Sequence, residues 1–243
     1  LYERGLGVKI DASQAAVHYA NGAQLGDQYA QFALGLMLAE GRGIKQNKKQ
    51  AAQFFELSAA QGNADAMYNL ALMYVDGDGV AQDYKKAATW LEKAAKLDLA
   101  PAQYDLAAMY KEGVGVKQSL STSVRWLQKA AEAGMTNAEL EFGIALYLGQ
   151  GVKKDEKLGF EMFRRSAEKG NPVAQNRLAH AYAAGLGTER NLVEAAKWHM
   201  LSRQSGVSDF RLDQLLAGLP QDERSKAQQS AQLWQKSTAA LLQ

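Results

Sequence analysis

Apolar and small side chains recur along the chain in steps of three and four residues, and the whole pattern returns every 36 residues. In the copy at residues 64–97, one face carries Ala66, Leu70 and Tyr74, and a later face carries Leu91 and Ala94. This spacing is that of amphipathic α-helices. Each copy is therefore predicted to be a pair of antiparallel helices.

Glycine separates these helices at fixed positions. A Gly-x-Gly pair occurs six times at a spacing of 36 residues: Gly5/Gly7, Gly41/Gly43, Gly77/Gly79, Gly113/Gly115, Gly149/Gly151 and Gly185/Gly187. Glycine adopts positive φ without steric cost, so each pair is predicted to end a first helix. Residues of N-cap type follow, which predicts the start of a second helix: Asp11, Asn47, Asp83, Ser119, Asp155 and Asn191. A further column is predicted to end the second helices: Gly26, Gly62, Asp98, Gly134, Gly170 and Gly206.

The repeats divide the chain into a long array and a tail. Five full pairs are predicted, after a leading half-unit at residues 1–24, at 28–61, 64–97, 100–133, 136–169 and 172–205. One pair cannot bury both of its faces, so the pairs must stack into a repeat solenoid at 1–206. Capping helices are predicted at 207–243, including a polar helix at 221–241 after Pro220. Because the chain begins in the middle of a unit, we expect its N-terminal edge to be a processed or artificial boundary.

Composition and charge narrow the class of protein. The chain has 243 residues, of which 47% are apolar, and this argues against wholesale disorder. With 28 basic and 26 acidic residues it has no global charge that would favour nucleic acid or an anionic membrane. No apolar run reaches the roughly 18 residues of a membrane span. We therefore expect neither a nucleic-acid partner nor a membrane-spanning segment.

Candidate catalytic chemistry is sparse. The chain has no cysteine, and His18, His180 and His199 lack the spacing of a metal site. No nucleophile or phosphate-binding motif is present, so we expect no enzyme activity, no metal and no cofactor. Trp90, Trp126 and Trp198 occupy one repeat column. Core packing is the favoured interpretation of that column, and a ligand platform is the alternative.

The stretches at residues 66–80 and 83–95 resemble the Sel-one-like (Sel1-like) repeat, a relative of the tetratricopeptide repeat, and the match recurs up to about residue 206. The resemblance implies an all-α, right-handed α-solenoid whose first helices line a concave face. It also implies a non-enzymatic scaffold or adaptor in protein–protein contact, in bacterial envelope, secretion or signalling settings. His18 and Met162 depart from the usual aromatic residue, and Gly159 with Phe160 departs from the usual alanine pair.

Specificity is expected at the positions on the first helices that the repeat leaves free. A peptide or partner protein in the concave groove is the leading hypothesis, with a solvated helix face as the alternative for each residue. An envelope glycan or the cell wall, held by concave tyrosines, is the alternative ligand. We expect a monomer, in a periplasmic or secreted rather than a cytoplasmic location. The candidate partner-binding residues are Tyr29, Phe32, Leu36, Asp65, Asn69, Tyr104, Asp105, Lys111, Asn137, Glu141, Tyr147, Asn176, Arg177 and His180.

Overall fold

The computed structural model describes residues 2–3, 5, 7 and 9–240, and within them it contains thirteen α-helices and no β-strand. The helices are α1 (Ala12–Gln24), α2 (Gln28–Glu40), α3 (Lys48–Ala60), α4 (Ala64–Asp76), α5 (Tyr84–Lys96), α6 (Ala100–Glu112), α7 (Leu120–Glu132), α8 (Thr136–Leu148), α9 (Glu156–Glu168), α10 (Pro172–Ala184), α11 (Leu192–Gln204), α12 (Phe210–Gly218) and α13 (Gln221–Ala240).

Polar side chains and glycines set the helix ends as the repeat predicts. The second helices begin where a predicted N-cap side chain accepts a backbone N–H bond, as Asp83 does from Lys86 at 3.0 Å. The first helices end at the first glycine of each pair, which adopts the left-handed conformation, for example Gly77 at φ +74°. Asp98, which stands in the column of terminating glycines, also has a positive φ, of +59°. The predicted punctuation is confirmed.

The chain forms two compact units, unit 1 at Leu1–Lys129 and unit 2 at Ala130–Gln243. In unit 1, α2 packs on α3 and α4 on α5, while α3 with α4 and α5 with α6 join successive pairs. In unit 2, α8 packs on α9 and α10 on α11, and α9 with α10 joins the two pairs. Since each helix is apolar along one stripe, stacking in this order buries that stripe between neighbours.

Small residues allow the two helices of a pair to approach closely. A Cβ atom on Gly35 would lie 2.7 Å from the ring of Phe55, and one on Gly143 would lie 2.8 Å from the ring of Phe163. The aromatic side chain of the second helix therefore occupies the space that a larger residue would need. This agrees with the close packing expected at these positions.

The second glycine of four Gly-x-Gly pairs has a role that the sequence pattern alone does not reveal. A Cβ atom at this position would come closer than 3.0 Å to the backbone at the start of the preceding second helix. The partner lies 31 residues earlier in each of these four cases: Gly43 meets Ala12, Gly79 meets Lys48, Gly115 meets Tyr84 and Gly187 meets Glu156. The second glycine is thus a joint between successive repeats as well as part of a turn.

The tail of unit 2 contains two helices. The predicted polar helix is observed as α13, which packs along α11, and Trp234 meets Trp198 edge-on at 5.8 Å between ring centroids. The repeat pattern does not predict helix α12, which spans Phe210–Gly218. Its signals are Asp209 as N-cap and Leu212 on the buried face.

The tryptophan column corrects one expectation. Core packing is confirmed for Trp198, which is 3% exposed. Trp90 and Trp126 pack against the core of unit 1 on one side but are only half-buried. The Nζ atom of Lys93 lies 3.9 Å from the ring centroid of Trp90, so a cation covers the open face. A tryptophan at these two positions is partly a surface residue, because the neighbouring lysine takes the place of a further apolar layer.

Candidate partner-binding groove

A cavity of about 700 Å³ opens on unit 2, and we call it the unit 2 groove. It lies between the second half of α8, α10 and the start of α12. Three of the predicted partner-binding residues, Tyr147, Arg177 and His180, line it together. Its full lining is Ile144, Tyr147, Leu148, Phe163, Arg177, His180, Ala184, Leu186, Asp209, Phe210 and Arg211.

The floor and rim of the unit 2 groove are apolar. The rings of Tyr147 and Phe163 pack at 6.0 Å between centroids, and Ile144 packs against the same core. At the rim, Leu148 is 57% exposed and Phe210 is 74% exposed. Large apolar side chains that line one cavity and remain in water are typical of surfaces that contact another molecule.

Asp209 organises the polar side of the groove. Its Oδ1 accepts the backbone N–H groups of Arg211 and Leu212 at 3.1 Å each, and so caps α12. Its Oδ2 accepts from Asn176 Nδ2 at 3.1 Å and lies 2.7 Å from His180 Nε2. Four partners therefore occupy the two oxygens of this carboxylate.

The same contacts determine the ionisation of Asp209. Burial alone would raise the pKa of this carboxyl, but the hydrogen bonds from His180, Asn176 and the Leu212 N–H lower it to about 2. Asp209 is therefore ionised at neutral pH and fully engaged. Asn176, which was predicted to face a partner, is buried, and its side chain holds the start of α12.

Two guanidinium groups face the groove from different helices. Arg177 lies on α10 and Arg211 on α12, and both are exposed. Within the described part of the chain, neither side chain forms an ion pair with a carboxylate. The groove therefore combines an apolar floor with two cations that are open to a ligand.

The remaining predicted residues of unit 2 lie on the first turns of α8. Asn137 is exposed and its Oδ1 accepts from Asn171 Nδ2 at 3.2 Å. Glu141 is half-buried and has a partner. Neither residue lines the unit 2 groove.

The predicted residues of unit 1 divide between surface and structural positions. Tyr29 is 70% exposed, and Asp65 and Lys111 are exposed as well. Phe32 and Leu36 pack against the core, with the ring of Phe32 at 5.8 Å from that of Phe55.

Polar candidates of unit 1 are engaged within the unit. The Nδ2 group of Asn69 donates to the Asp65 carbonyl at 2.8 Å. Asp105 accepts the Tyr68 hydroxyl at 2.9 Å, and this bond links two first helices, α4 and α6. Tyr104 is half-buried and also has a partner. Sequence position alone did not distinguish these bonded residues from open ones.

The Tyr68–Asp105 bond yields a pH-dependent prediction. Burial, the hydrogen bond and the charge of Asp105 raise the pKa of Tyr68 from 10.0 to about 12. Because the folded pKa is raised, the contribution of Tyr68 to stability is complete below pH 10.0 and is lost as the pH rises towards about 12. We expect the stability difference between wild type and Tyr68→Phe in urea to be constant at neutral pH and to fall above about pH 10. A difference that stays flat over that range would contradict the assignment.

A separate polar cluster lies at the start of unit 2. Glu139 is fully buried, and its Oε1 contacts Arg165 at 2.7 Å and Lys169 Nζ at 2.8 Å. Its Oε2 has no hydrogen-bond partner in the structure. Arg165 also donates to the Ala131 carbonyl at 3.1 Å, and Lys169 donates to the Gly134 carbonyl at 2.8 Å.

The equivalent position carries glutamine in three other repeats, at Gln31, Gln103 and Gln175, and methionine in the fourth, at Met67. Each of these buried amides donates to the carbonyl eight residues earlier, as Gln103 does to Ala95 at 3.1 Å. Gln31 and Gln175 make the same bond. Glu139 has no amide proton to donate, so Arg165 supplies the bond to the carbonyl instead. In the sequence, the signal for this cluster is a carboxylate at a position where three other repeats have glutamine.

No group of three or more His, Cys, Asp or Glu side chains among the described residues could hold a metal ion. No helix in that part of the chain is long and apolar enough to cross a membrane.

Comparison with known proteins identifies the repeat. The Sel1 repeat model matches six times, at residues 1–27, 28–63, 64–99, 100–135, 138–171 and 172–199. None of the curated proteins compared with the chain matches it.

Two solved structures share the architecture. One is a protective antigen of uropathogenic Escherichia coli strains that displays an SLR fold, at 32% identity and a TM-score of 0.87 over 94% of this chain. The present chain covers 52% of that protein, about half its length. The other is a Sel1 repeat protein from Oxalobacter formigenes, at 28% identity and a TM-score of 0.75, covering 90% of this chain and 93% of that one.

The predicted fold class, an all-α solenoid of antiparallel helix pairs, is confirmed by these matches. Sel1 repeats form helical, non-enzymatic scaffolds that bind other proteins. The described helices, their 36-residue spacing and the six family matches agree with one another. The chain is a member of the Sel1 repeat family.

Proposed function

We propose that this chain is a non-enzymatic interaction scaffold that holds an extended segment of a partner protein in the unit 2 groove. The observation that carries this proposal is the meeting of Tyr147, Arg177 and His180 around one cavity of about 700 Å³. These residues were expected to contact a partner because the repeat leaves them free. Their shared cavity supports a common ligand.

The chemistry of the groove favours a protein segment. Covering exposed apolar side chains such as Leu148 and Phe210 with a partner removes apolar surface from water and so favours binding. Aromatic side chains are also among the residues that contribute most to the binding free energy of protein interfaces. The groove is bounded by helices of the solenoid, so its shape exists before a partner arrives. A preformed surface binds an extended segment with a smaller entropic cost than a surface that must first order itself.

The remaining predicted contacts of unit 1, such as Tyr29 and Lys111, belong to the same proposal. They would form a separate contact surface on unit 1. The glycan alternative depends on exposed tyrosines, and Tyr29 is the one that is most open to water among the three considered, Tyr29, Tyr104 and Tyr147. Retention on insoluble cell wall is therefore the second measurement for every variant.

The proposal is tested by selection from a displayed library of random peptides. Leu148→Lys combined with Phe210→Ser should abolish peptide capture, because it places a charge at the rim and removes an exposed anchor. Leu233→Lys is the matched control, since Leu233 is 67% exposed on α13 and lies outside the groove. We expect the wild type and the control to select the same peptides.

Three other results would contradict the proposal. The groove variant could select the same peptides as the wild type, or the wild type could select none. Cell-wall retention by the wild type, lost in the groove variant and without any selected peptide, would favour the glycan alternative.

A further inference from the structure

We infer that the unit 2 groove recognises an acidic segment, in which Asp or Glu side chains lie next to a large apolar side chain. This inference rests on the proposed function and specifies the chemistry of the partner. It is carried by the charge of the groove, which the apolar lining alone does not determine.

Asp209 is the only carboxylate among the residues that line the groove, and it is already engaged. Its oxygens already accept from two backbone N–H groups and lie within hydrogen-bond distance of Asn176 and His180. It therefore has no lone pair left for an arginine. Its negative charge stabilises the start of α12 and is not available to a ligand.

The two cations of the groove, in contrast, are open to a ligand. Arg177 and Arg211 both line the cavity, and neither is ion-paired with another described residue. They come from different helices, which places a cation on both α10 and α12. A guanidinium presents a planar fork of N–H donors that matches a carboxylate. Two such groups beside one cavity complement an acidic segment.

The apolar floor of the groove lies beside these cations. Phe163 and Ile144 form a surface that is suited to a Leu, Ile or Phe side chain of the partner, and Phe210 extends it at the rim. The arginines are exposed in the free protein, and a partner side chain that covers the apolar floor would exclude water beside them and so strengthen their attraction to a carboxylate. A segment that carries both kinds of side chain can therefore place an apolar side chain on the floor and a carboxylate beside the arginines.

The test compares peptide libraries selected by the wild type and by Arg177→Gln/Arg211→Gln. Arg125→Gln/Lys85→Gln is the charge-matched control, since both of its residues are exposed in unit 1. We expect the wild type and the control to enrich peptides with Asp or Glu beside Leu, Ile, Phe or Trp. We expect the arginine variant to lose that enrichment while its thermal unfolding stays unchanged.

A selected peptide is then synthesised with acetylated and amidated ends. Changing its acidic residues to Asn or Gln should weaken binding to the wild type by about 10- to 100-fold, as expected for loss of charged hydrogen bonds. The same change should have little effect on the arginine variant. Binding should also weaken as salt is raised from about 0.05 M to about 0.5 M.

The outcomes separate this inference from the proposed function. If the wild type enriches no peptides, the proposed function fails. If it enriches peptides without acidic residues, or the arginine variant selects the same acidic ones, only the acidic specificity is overturned. Binding that requires a free peptide C-terminus would also overturn it, because the inferred contact is to acidic side chains.

Discussion

Replacing Gly79 with alanine is expected to lower the free energy of unfolding by about 3–5 kcal/mol, whereas the same change at Gly77 should cost about 1 kcal/mol. The two glycines have nearly the same positive φ, +71° and +74°. They therefore share the conformational penalty of placing alanine in the left-handed region. They differ in their surroundings.

A Cβ atom on Gly79 would meet the carbonyl of Lys48 and the amide of Lys49, which are backbone groups that cannot move aside alone. At Gly77 the nearest atom would be Gln82 Cβ at 3.4 Å, an ordinary contact. The comparison thus isolates the packing of the loop against the preceding repeat. Urea unfolding of both variants measures it, and equal costs at the two positions would refute the joint described here.

The second large effect is expected at the buried carboxylate of Glu139. Replacing both Arg165 and Lys169 with methionine should destabilise the chain by about 3–5 kcal/mol at neutral pH, because a fully buried charge loses its counterions. Methionine keeps much of the length and the apolar surface of the replaced side chains. The loss is therefore mainly electrostatic.

A third substitution provides the control for this prediction. Adding Glu139→Gln to the double variant should restore most of the stability, since the amide can donate to Ala131 as Gln103 donates to Ala95. Unfolding in urea is compared for wild type, the double variant and the triple variant. A triple variant as unstable as the double one would show that packing of Arg165 and Lys169 matters more than their charge.

The regular part of the fold could be predicted because its signals are local. Asp83 caps the helix that begins at the next residue, and Gly77 ends the helix just before it. Such signals repeat six times, so the positions of α1 to α11 follow from spacing alone. Helix α12 lies outside the repeat. Its short apolar pattern around Leu212 occurs once, so no second copy in the sequence supports it.

The candidate site was predictable in part, for a physical reason. Helical periodicity says which face a residue occupies, so it identified Arg177 and His180 as residues of one helix face. It does not say what that face meets. Asn176 is engaged by Asp209, which lies 33 residues later in a segment without the repeat. Asp105 is likewise engaged by Tyr68, 37 residues earlier. Phe210 and Arg211 line the groove because they lie at the start of α12, and the repeat pattern does not predict that helix.

The joint formed by the second glycine also bears on how such a chain can change in evolution. Each joint packs a loop against a helix start 31 residues earlier. A single residue inserted between Lys48 and Gly79 would therefore shift the glycine away from the backbone that it packs against. Insertion or loss of a complete 36-residue module would instead give every loop a matching helix start. We therefore expect the array to lengthen or shorten by duplication or deletion of whole modules. Single added residues should be tolerated only at positions that do not lie between a helix start and the glycine that packs against it.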